Sequence, residues 1–291
     1  MKRLSLMTLL DGKALSASIK TDLTTHCQTL KQKGIIPGLA VILVGNDPAS
    51  AAYVGMKEKA CDQVGIYSLL HRLSESATQE DLVALINELN SNQSIDGILV
   101  QLPLPKHMDT DAILETIAPH KDVDGFHPYN VGRLVQGLSG FKPCTPYGVM
   151  KLLEANDINV CGMDACVIGR SNIVGKPMAT LLLHAGATVS ICHSQTKSME
   201  RFTKEADLII VGVGKPNLLT ADMVKDGAIV VDVGINRLDT GTLVGDVDFE
   251  KVAPKCSFIT PVPGGVGPMT IAMLLSNTLE SAHIRAKGLN Q

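Results

Sequence analysis

Short apolar runs bounded by glycine or proline recur along the chain, at residues 39–44, 97–102, 165–168, 188–192, 208–211 and 228–233. Unbroken apolar runs of this length suit strands covered on both faces, because neither face then meets water. Stretches with helical spacing lie between them, at 50–64, 78–89, 175–184 and 269–283. The second of these opens on Thr78 and Asp81, which have the spacing of a reciprocal N-terminal cap. Strand and helix in alternation predict an α/β fold of mostly parallel sheets with flanking helices and right-handed crossovers. Residues 119–146 break the rhythm. They are rich in Gly, Pro, His and Asp, and predict a long functional loop between two domains. Pro146 then suits the first turn of a helix capped by Thr145, opening the second domain.

The 291 residues are enough for two domains with separate cores. Aromatic residues make up only 3% and Trp is absent, so Val, Ile, Leu, Ala and Met must fill the interior, as they do around buried parallel sheets. A net charge of -3 lacks the basic excess of a nucleic-acid binder, which leaves small molecules as the expected ligands. Seven cysteines (Cys27, Cys61, Cys144, Cys161, Cys166, Cys192 and Cys256) form no C-x-x-C pair and sit mostly in apolar segments. They predict reduced core thiols in a cytoplasmic protein, with no metal site. The start Lys2-Arg3 and the apolar residues after it resemble a signal peptide only until Asp11-Gly12-Lys13 interrupts them. No run approaches the ~18 apolar residues of a membrane span. Neither a low-complexity tract nor an internal repeat is evident.

After the run 165–168 comes Gly169-Arg170-Ser171-Asn172-Ile173-Val174-Gly175-Lys176-Pro177, then a helix. A glycine-rich turn at the carboxyl end of a parallel strand lets backbone N–H groups and a helix N-terminus face phosphate oxygens. The spacing is not G-x-G-x-x-G, so a plain strand-to-helix turn is the competing reading. The next strand ends at Cys192-His193-Ser194, roughly twenty residues on, where an NAD site usually carries an acid for the ribose hydroxyls. No acid is present there. With Arg170 beside the first glycine and Ser194 opposite, the site suits a 2′-phosphate and predicts NADP over NAD. Alternatively Arg170 binds pyrophosphate or solvent, and Ser194 caps the following helix. Two more turns, Gly212-Val213-Gly214-Lys215-Pro216 and Asp232-Val233-Gly234-Ile235-Asn236, end apolar strands on the same predicted edge, where ligands of open α/β sheets bind.

In the first half, Gly45-Asn46-Asp47-Pro48-Ala49 leads into a helix bearing Ser50, Tyr53 and Lys57. At 3.6 residues per turn these three fall within about 60°, so hydroxyl, phenol and amine share a face. Glu58 and Lys59 beside Lys57 keep open the reading of an ordinary solvated helix. The Tyr-x-x-x-Lys pair also occurs in short-chain dehydrogenases, but there the cofactor turn precedes the Tyr, and here it follows. Gln101 ends an apolar strand before Leu102-Pro103-Leu104-Pro105, which places an amide at a strand tip. Asp124, in Asp122-Val123-Asp124-Gly125-Phe126, could accept paired hydrogen bonds from an amino-pyrimidine edge such as a pterin's. Pro261-Val262-Pro263-Gly264-Gly265-Val266-Gly267-Pro268-Met269-Thr270 joins the last strand to the last helix, and so much Gly and Pro suggests backbone close to a ligand.

Together these motifs, in fixed order from about Leu10 to the last helix, closely resemble the bifunctional methylenetetrahydrofolate dehydrogenase/cyclohydrolase family. The residues before Leu10 are the main departure. The resemblance implies a folate-binding catalytic domain over 1–125, completed by a C-terminal helix at 269–291. It also implies a Rossmann-like NADP-binding domain over 140–268, an active-site cleft between the two, and a homodimer. Lys57, Gln101, Tyr53 and Asp124 are then grouped at the reacting centre, with Lys57 the catalytic amine, Gln101 its partner, Tyr53 stacked near the folate and Asp124 on the pterin. Ser50, Leu102, Pro263 and Gly264 would border the folate. Thr145, Gly169, Arg170, Ser171, Val174, Gly175, His193, Ser194 and Ile235 would border NADP. The implied activity is oxidation of 5,10-methylenetetrahydrofolate followed by hydrolysis of the methenyl form, within the one-carbon metabolism that feeds purine biosynthesis. The alternatives are a monofunctional dehydrogenase, an NADP-dependent dehydrogenase of another small substrate, and a nucleotide-sensing module, which would not require Lys57, Gln101 and Asp124 together.

Overall fold

A computed structural model describes residues 7–288 of the chain. In order, they run through β1 (Thr8–Leu9), α1 (Gly12–Gln32), β2 (Gly38–Val44), α2 (Pro48–Val64), β3 (Tyr67–Leu73), α3 (Gln79–Ser91), β4 (Gly97–Val100), α4 (Thr110–Thr116) and α5 (Pro128–Val135). There follow α6 (Cys144–Glu154), β5 (Asp164–Ile168), α7 (Gly175–His184), β6 (Thr188–Cys192), α8 (Glu200–Thr203), β7 (Leu208–Val211), β8 (Ile229–Asp232), β9 (Asn236–Arg237), β10 (Leu243–Val244), α9 (Phe249–Val252), β11 (Phe258–Ile259) and α10 (Val266–Ala286). The protein is α/β. Two compact units divide the chain, one made of 17–144 with residues from 271 on, the other of residues up to 16 with 145–270. Lys2 and Arg3 of the signal-like start lie outside the described residues, whereas Thr8 and Leu9 pair with Phe258 and Ile259 in a sheet.

The first unit holds a parallel three-stranded sheet in the order β3-β2-β4. Its centre is β2, whose seven residues are all buried, as its unbroken apolar run requires. Leu82, Ile86 and Leu89 of α3 and Ile113 of α4 pack with Ala40, Ile42, Ile98 and Val100 into one apolar cluster. Helix α3 starts as expected: Thr78 N–H donates to Asp81 Oδ2 at 2.9 Å, and Asp81 N–H donates to Thr78 Oγ1 at 3.1 Å. The edge strand β3 is absent from the apolar pattern because, mostly half-exposed, it carries Tyr67, Ser68, His71 and Arg72 among its leucines. The 119–146 segment is not one loop. His127 and Pro128 begin α5 within it, the His127 ring nitrogen accepting from Tyr129 N–H at 3.0 Å.

The second unit is built on a parallel six-stranded sheet, β1-β11-β8-β7-β5-β6, with a small antiparallel pair β9–β10. Strands β7 and β8 are wholly buried in its centre, and Ile209, Val211, Val230, Leu219 and Val252 share one core. Helix α6 begins at Cys144, so Thr145 lies inside it and is not its cap. Cys144 N–H donates to Asp124 O at 3.3 Å, which starts the helix one residue early, and the Thr145 hydroxyl pairs with Thr270 Oγ1 at 2.9 Å. No described helix is long and apolar enough to cross a membrane.

Candidate active site

Helix α2 owes its start to Asp47, whose carboxylate accepts from Ser50 N–H at 2.7 Å, and to Pro48 in its first turn. That start fixes which residues face inward. Ser50 and Lys57 are buried and Tyr53 is half-buried, while Ala52, Gly55 and Met56 are exposed. Lys57 is only 7% exposed, which removes the reading of a solvated helix lysine. Gln101 lies just past β4, where its N–H still bonds Ile42 O at 2.8 Å and Pro103, lacking an N–H, prevents the ladder from continuing. Its Oε1 accepts from Lys57 Nζ at 2.9 Å, and its Nε2 donates to Leu102 O at 2.7 Å. Both ends of the amide are therefore fixed, and the amine is aimed by it.

Burial dominates the electrostatics. It lowers the pKa of Lys57 from the ordinary lysine value, against the opposing pull of Asp124 and of the Cys144 and Cys61 thiols. It raises the carboxyl of Asp124, which the Lys57 charge and a Cys144 hydrogen bond draw partly back down. Burial likewise raises the Tyr53 phenol and holds the Cys144 thiol well above the usual thiol range, hence protonated. An amine whose pKa burial depresses, aimed by an amide, gives up its proton more readily than an ordinary lysine and can then accept one.

Three residues of this site escaped the sequence reading of roles. Asp122 is 1% exposed, and its carboxylate accepts from the N–H groups of Gly125 and Phe126 at 3.1 Å each, from His127 N–H at 2.9 Å and from Asn130 Nδ2 at 2.8 Å. These bonds shape the loop that carries Asp124. Burial still outweighs them and pushes the Asp122 carboxyl up to about 6. Asn277 of α10, also buried, donates to Val123 O at 2.8 Å and Lys142 O at 3.2 Å and reaches Cys144 Sγ at 3.7 Å. Cys144 Sγ donates in turn to Val123 O at 3.3 Å. Asp124 is thus braced on both sides. The repeated Asp in Asp122-Val123-Asp124 was the available signal for the first; Asn277 had none, being one polar residue in an apolar helix.

In the second unit the turn after β5 depends on its glycines. Gly169 has φ +131°, and a Cβ on Gly175 would lie 2.1 Å from Gly169 O, so strand end and helix start approach as closely as backbone allows. Ser171 Oγ accepts from Val174 N–H at 3.1 Å and Gly175 N–H at 3.3 Å, which makes this hydroxyl a builder of the turn. Arg170 is exposed, its Nη1 donating to Gln195 Oε1 at 3.2 Å beside the exposed Ser194. His193 also builds its turn: its N–H donates to Thr196 Oγ1 at 2.9 Å and its Nδ1 accepts from Gln195 N–H at 3.2 Å. Ile235 is exposed at the end of β8. Glycine backbone at a strand end, a ten-residue helix behind it and an arginine in place of an acid fit a dinucleotide with a 2′-phosphate. At 261–265, Gly264 has φ +108° and its carbonyl accepts from Lys13 N–H at 2.8 Å, while Gly265 N–H donates to Pro261 O at 2.9 Å. These two bonds close the turn, and Pro263 and Gly264 form its tip.

Residues 10–124 match the family model described as tetrahydrofolate dehydrogenase/cyclohydrolase, catalytic domain, and residues 143–286 match the same family's NAD(P)-binding domain. A bifunctional protein FolD of Campylobacter curvus is 64% identical over 283 residues, covering 97% of this chain and 98% of the relative. The crystal structure of the bifunctional FolD methylenetetrahydrofolate dehydrogenase/cyclohydrolase of Campylobacter jejuni superposes with a TM-score of 0.95 at 65% identity, covering 96% of this chain and 99% of that one. A Trypanosoma brucei methylenetetrahydrofolate dehydrogenase-cyclohydrolase, solved with NADP cofactor and an inhibitor, gives 0.93 at 37% identity over 97% of this chain and 99% of its own.

Proposed function

The chain belongs to the tetrahydrofolate dehydrogenase/cyclohydrolase family, and on that premise we propose how its residues divide the work. The enzyme oxidises 5,10-methylenetetrahydrofolate to the methenyl form with NADP and hydrolyses that form to 10-formyltetrahydrofolate. The single observation that carries the assignment of roles is the buried Lys57 amine held 2.9 Å from Gln101 Oε1.

Oxidation asks little of acid–base groups. The folate nitrogen lone pairs expel hydride from the bridging methylene, and NADP, when bound, accepts it. The protein's part is position: Asp124 accepts hydrogen bonds from the pterin amino and ring N–H groups, Tyr53 stacks against the folate, and Ser50 and Leu102 border it. Gly169, Arg170, Ser171, Val174, Gly175, Ser194 and Ile235 form the cofactor border, with Thr145 and His193 supporting it, and Arg170 meets the 2′-phosphate.

Hydrolysis needs a proton acceptor. Water adds to the methenyl carbon and loses one proton; in the resulting hydroxyl adduct the C–N5 bond then breaks as the hydroxyl becomes the formyl C=O and its proton passes to N5. The Lys57 amine, already lowered by burial and lowered further beside a cationic substrate, takes the proton that the water loses, and Gln101 aims it. A fully charged ammonium would repel the methenyl cation, so the lowering of the amine's pKa favours binding as well as chemistry. Folate then belongs to the unit of 17–144 with the residues from 271 on, and NADP to the unit of 145–270; the bounds 1–125 and 140–268 read from the sequence shift because β1 pairs with β11 in the second unit's sheet. A cytoplasmic location, supported by the reduced-thiol composition, and a contribution to purine biosynthesis, supported by the folate chemistry, follow the same reading. The test is incubation of the purified protein with methylenetetrahydrofolate and NADP: one NADPH and one 10-formyltetrahydrofolate should form per folate consumed. NADPH with permanent methenyl product would mean a monofunctional dehydrogenase, and no turnover on folate with NADP still bound would mean a sensing module.

A further inference from the structure

We infer that Asp246 is a positioning residue of the nucleotide site, its buried carboxylate holding the turns 212–216 and 232–236 in the shape that NADP binding requires. The inference rests on the assignment of NADP to this unit. Asp246 is 0% exposed, and each of its oxygens accepts two hydrogen bonds. Oδ2 takes Val213 N–H at 2.6 Å and Gly214 N–H at 2.9 Å; Oδ1 takes Lys215 N–H at 2.9 Å and Asn236 Nδ2 at 2.8 Å. One side chain therefore gathers three successive backbone N–H groups of one strand-end turn and an amide from the other. Ile235, on the predicted cofactor border, precedes Asn236 directly.

A second carboxylate completes a reciprocal clasp. Asp232, at the end of β8, accepts from Gly234 N–H at 2.9 Å, Asp246 N–H at 3.0 Å and Val247 N–H at 2.9 Å. Its own N–H donates to Thr260 Oγ1 at 2.7 Å, directly before the 261–265 turn. The two side chains lie against glycine backbone. A Cβ on Gly234 would fall 2.3 Å from Asp246 Cγ, and one on Gly245 would fall 1.9 Å from Asp232 Oδ2. Two glycines are thus spent on seating two carboxylates, both buried and both facing donors. A buried ionised carboxylate is tolerated when each lone-pair direction meets an N–H, and such an arrangement is stiff because any displacement breaks several charge-assisted bonds at once. The two turns it stiffens end β7 and β8, at the carboxyl edge where a parallel α/β sheet takes its ligand.

The test compares the unaltered chain with Asp246→Asn and Asn236→Ala by fluorescence titration of NADPH and by the KM values for NADP and for folate. Asparagine keeps the shape but turns an NH2 towards two donors, so one side of the clasp opens. Asp246→Asn should raise the NADPH dissociation constant about 10–100-fold, the range for outer residues that orient binding groups, and Asn236→Ala, which removes one donor of four, about threefold on the same reasoning. The KM for methenyl hydrolysis, a reaction that uses no nicotinamide, should stay within about twofold, which general unfolding would not allow. NADPH affinity unchanged in both variants overturns the inference, as does an equal loss of folate and NADPH binding. Absence of NADPH binding by the unaltered chain overturns the assignment beneath it.

Discussion

Replacing Lys57 by Met keeps the length of the side chain and removes only the titrating amine. The amine is 7% exposed and spends its one described hydrogen bond on Gln101 Oε1, so bulk water has little room to take over its task. Loss of a general base costs about 10²–10⁴ in rate, or about 2.7–5.4 kcal/mol of transition-state stabilisation at 1.36 kcal/mol per tenfold. The fold should tolerate the change, because the burial that depresses the lysine pKa is a penalty the methionine does not carry. Gln101 is half-buried, and a water can replace its lost donor. Asp124 loses the charge that draws its pKa down, so folate binding by the variant should weaken first at mildly acidic pH. The assay measures hydrolysis of the methenyl compound and NADP-coupled oxidation on the same preparation. Hydrolysis should collapse and oxidation remain within about tenfold, with methenyl product accumulating. Parallel loss of both would assign Lys57 to folate positioning, and undisturbed hydrolysis would remove it from the mechanism.

Arg170→Ala should cost NADP binding about 1.5–3 kcal/mol, the range for hydrogen bonds to charged groups, and leave NAD binding nearly unchanged in calorimetry; equal losses would move Arg170 to the pyrophosphate. Asp124→Ala should raise the folate KM of both activities together, and a variant that loses hydrolysis alone with folate affinity intact would contradict a binding role. Carbon-detected NMR of the aspartates should show two carboxyls, Asp122 and Asp232, titrating near 6 because burial outweighs their N–H bonds. Since an unfolded aspartate titrates near ~3.9, these two groups favour the fold most below that pH and progressively less as pH rises through 6. Midpoints below about 4.5 would mean that the hydrogen bonds prevail.

The strands buried on both faces, β2, β4, β7 and β8, were legible because, apart from Asp232 at the end of β8, their residues all obey one rule. Edge strand β3, the two-residue strands β1 and β11 and helix α1, with its Lys, Thr and Gln, were not, because tertiary contacts rather than pattern select them. Ser50, Tyr53 and Lys57 could be placed on one face from helical period alone, and Gln101 at a strand end from the run before it. Asp122, Asn277 and Asp246 could not be read in this way. Their partners are mostly backbone N–H and C=O groups whose directions exist only once the loops have folded; the repeated Asp in Asp122-Val123-Asp124 was a signal for the first, and nothing in residue type or spacing distinguishes Asn277 or Asp246 from solvated polar residues.

One lysine whose pKa is lowered by burial serves hydrolysis, while hydride departure needs no such group. The most direct test of this division is the pH profile of both activities on the unaltered enzyme, corrected for spontaneous hydrolysis of the methenyl compound. A lysine must lose its proton to act as a base, so hydrolysis should fall as pH drops through an apparent pKa below the ordinary ~10.4 of lysine, with oxidation flat across the same limb. A limb shared by both activities, or one that persists in Lys57→Met, would contradict the account.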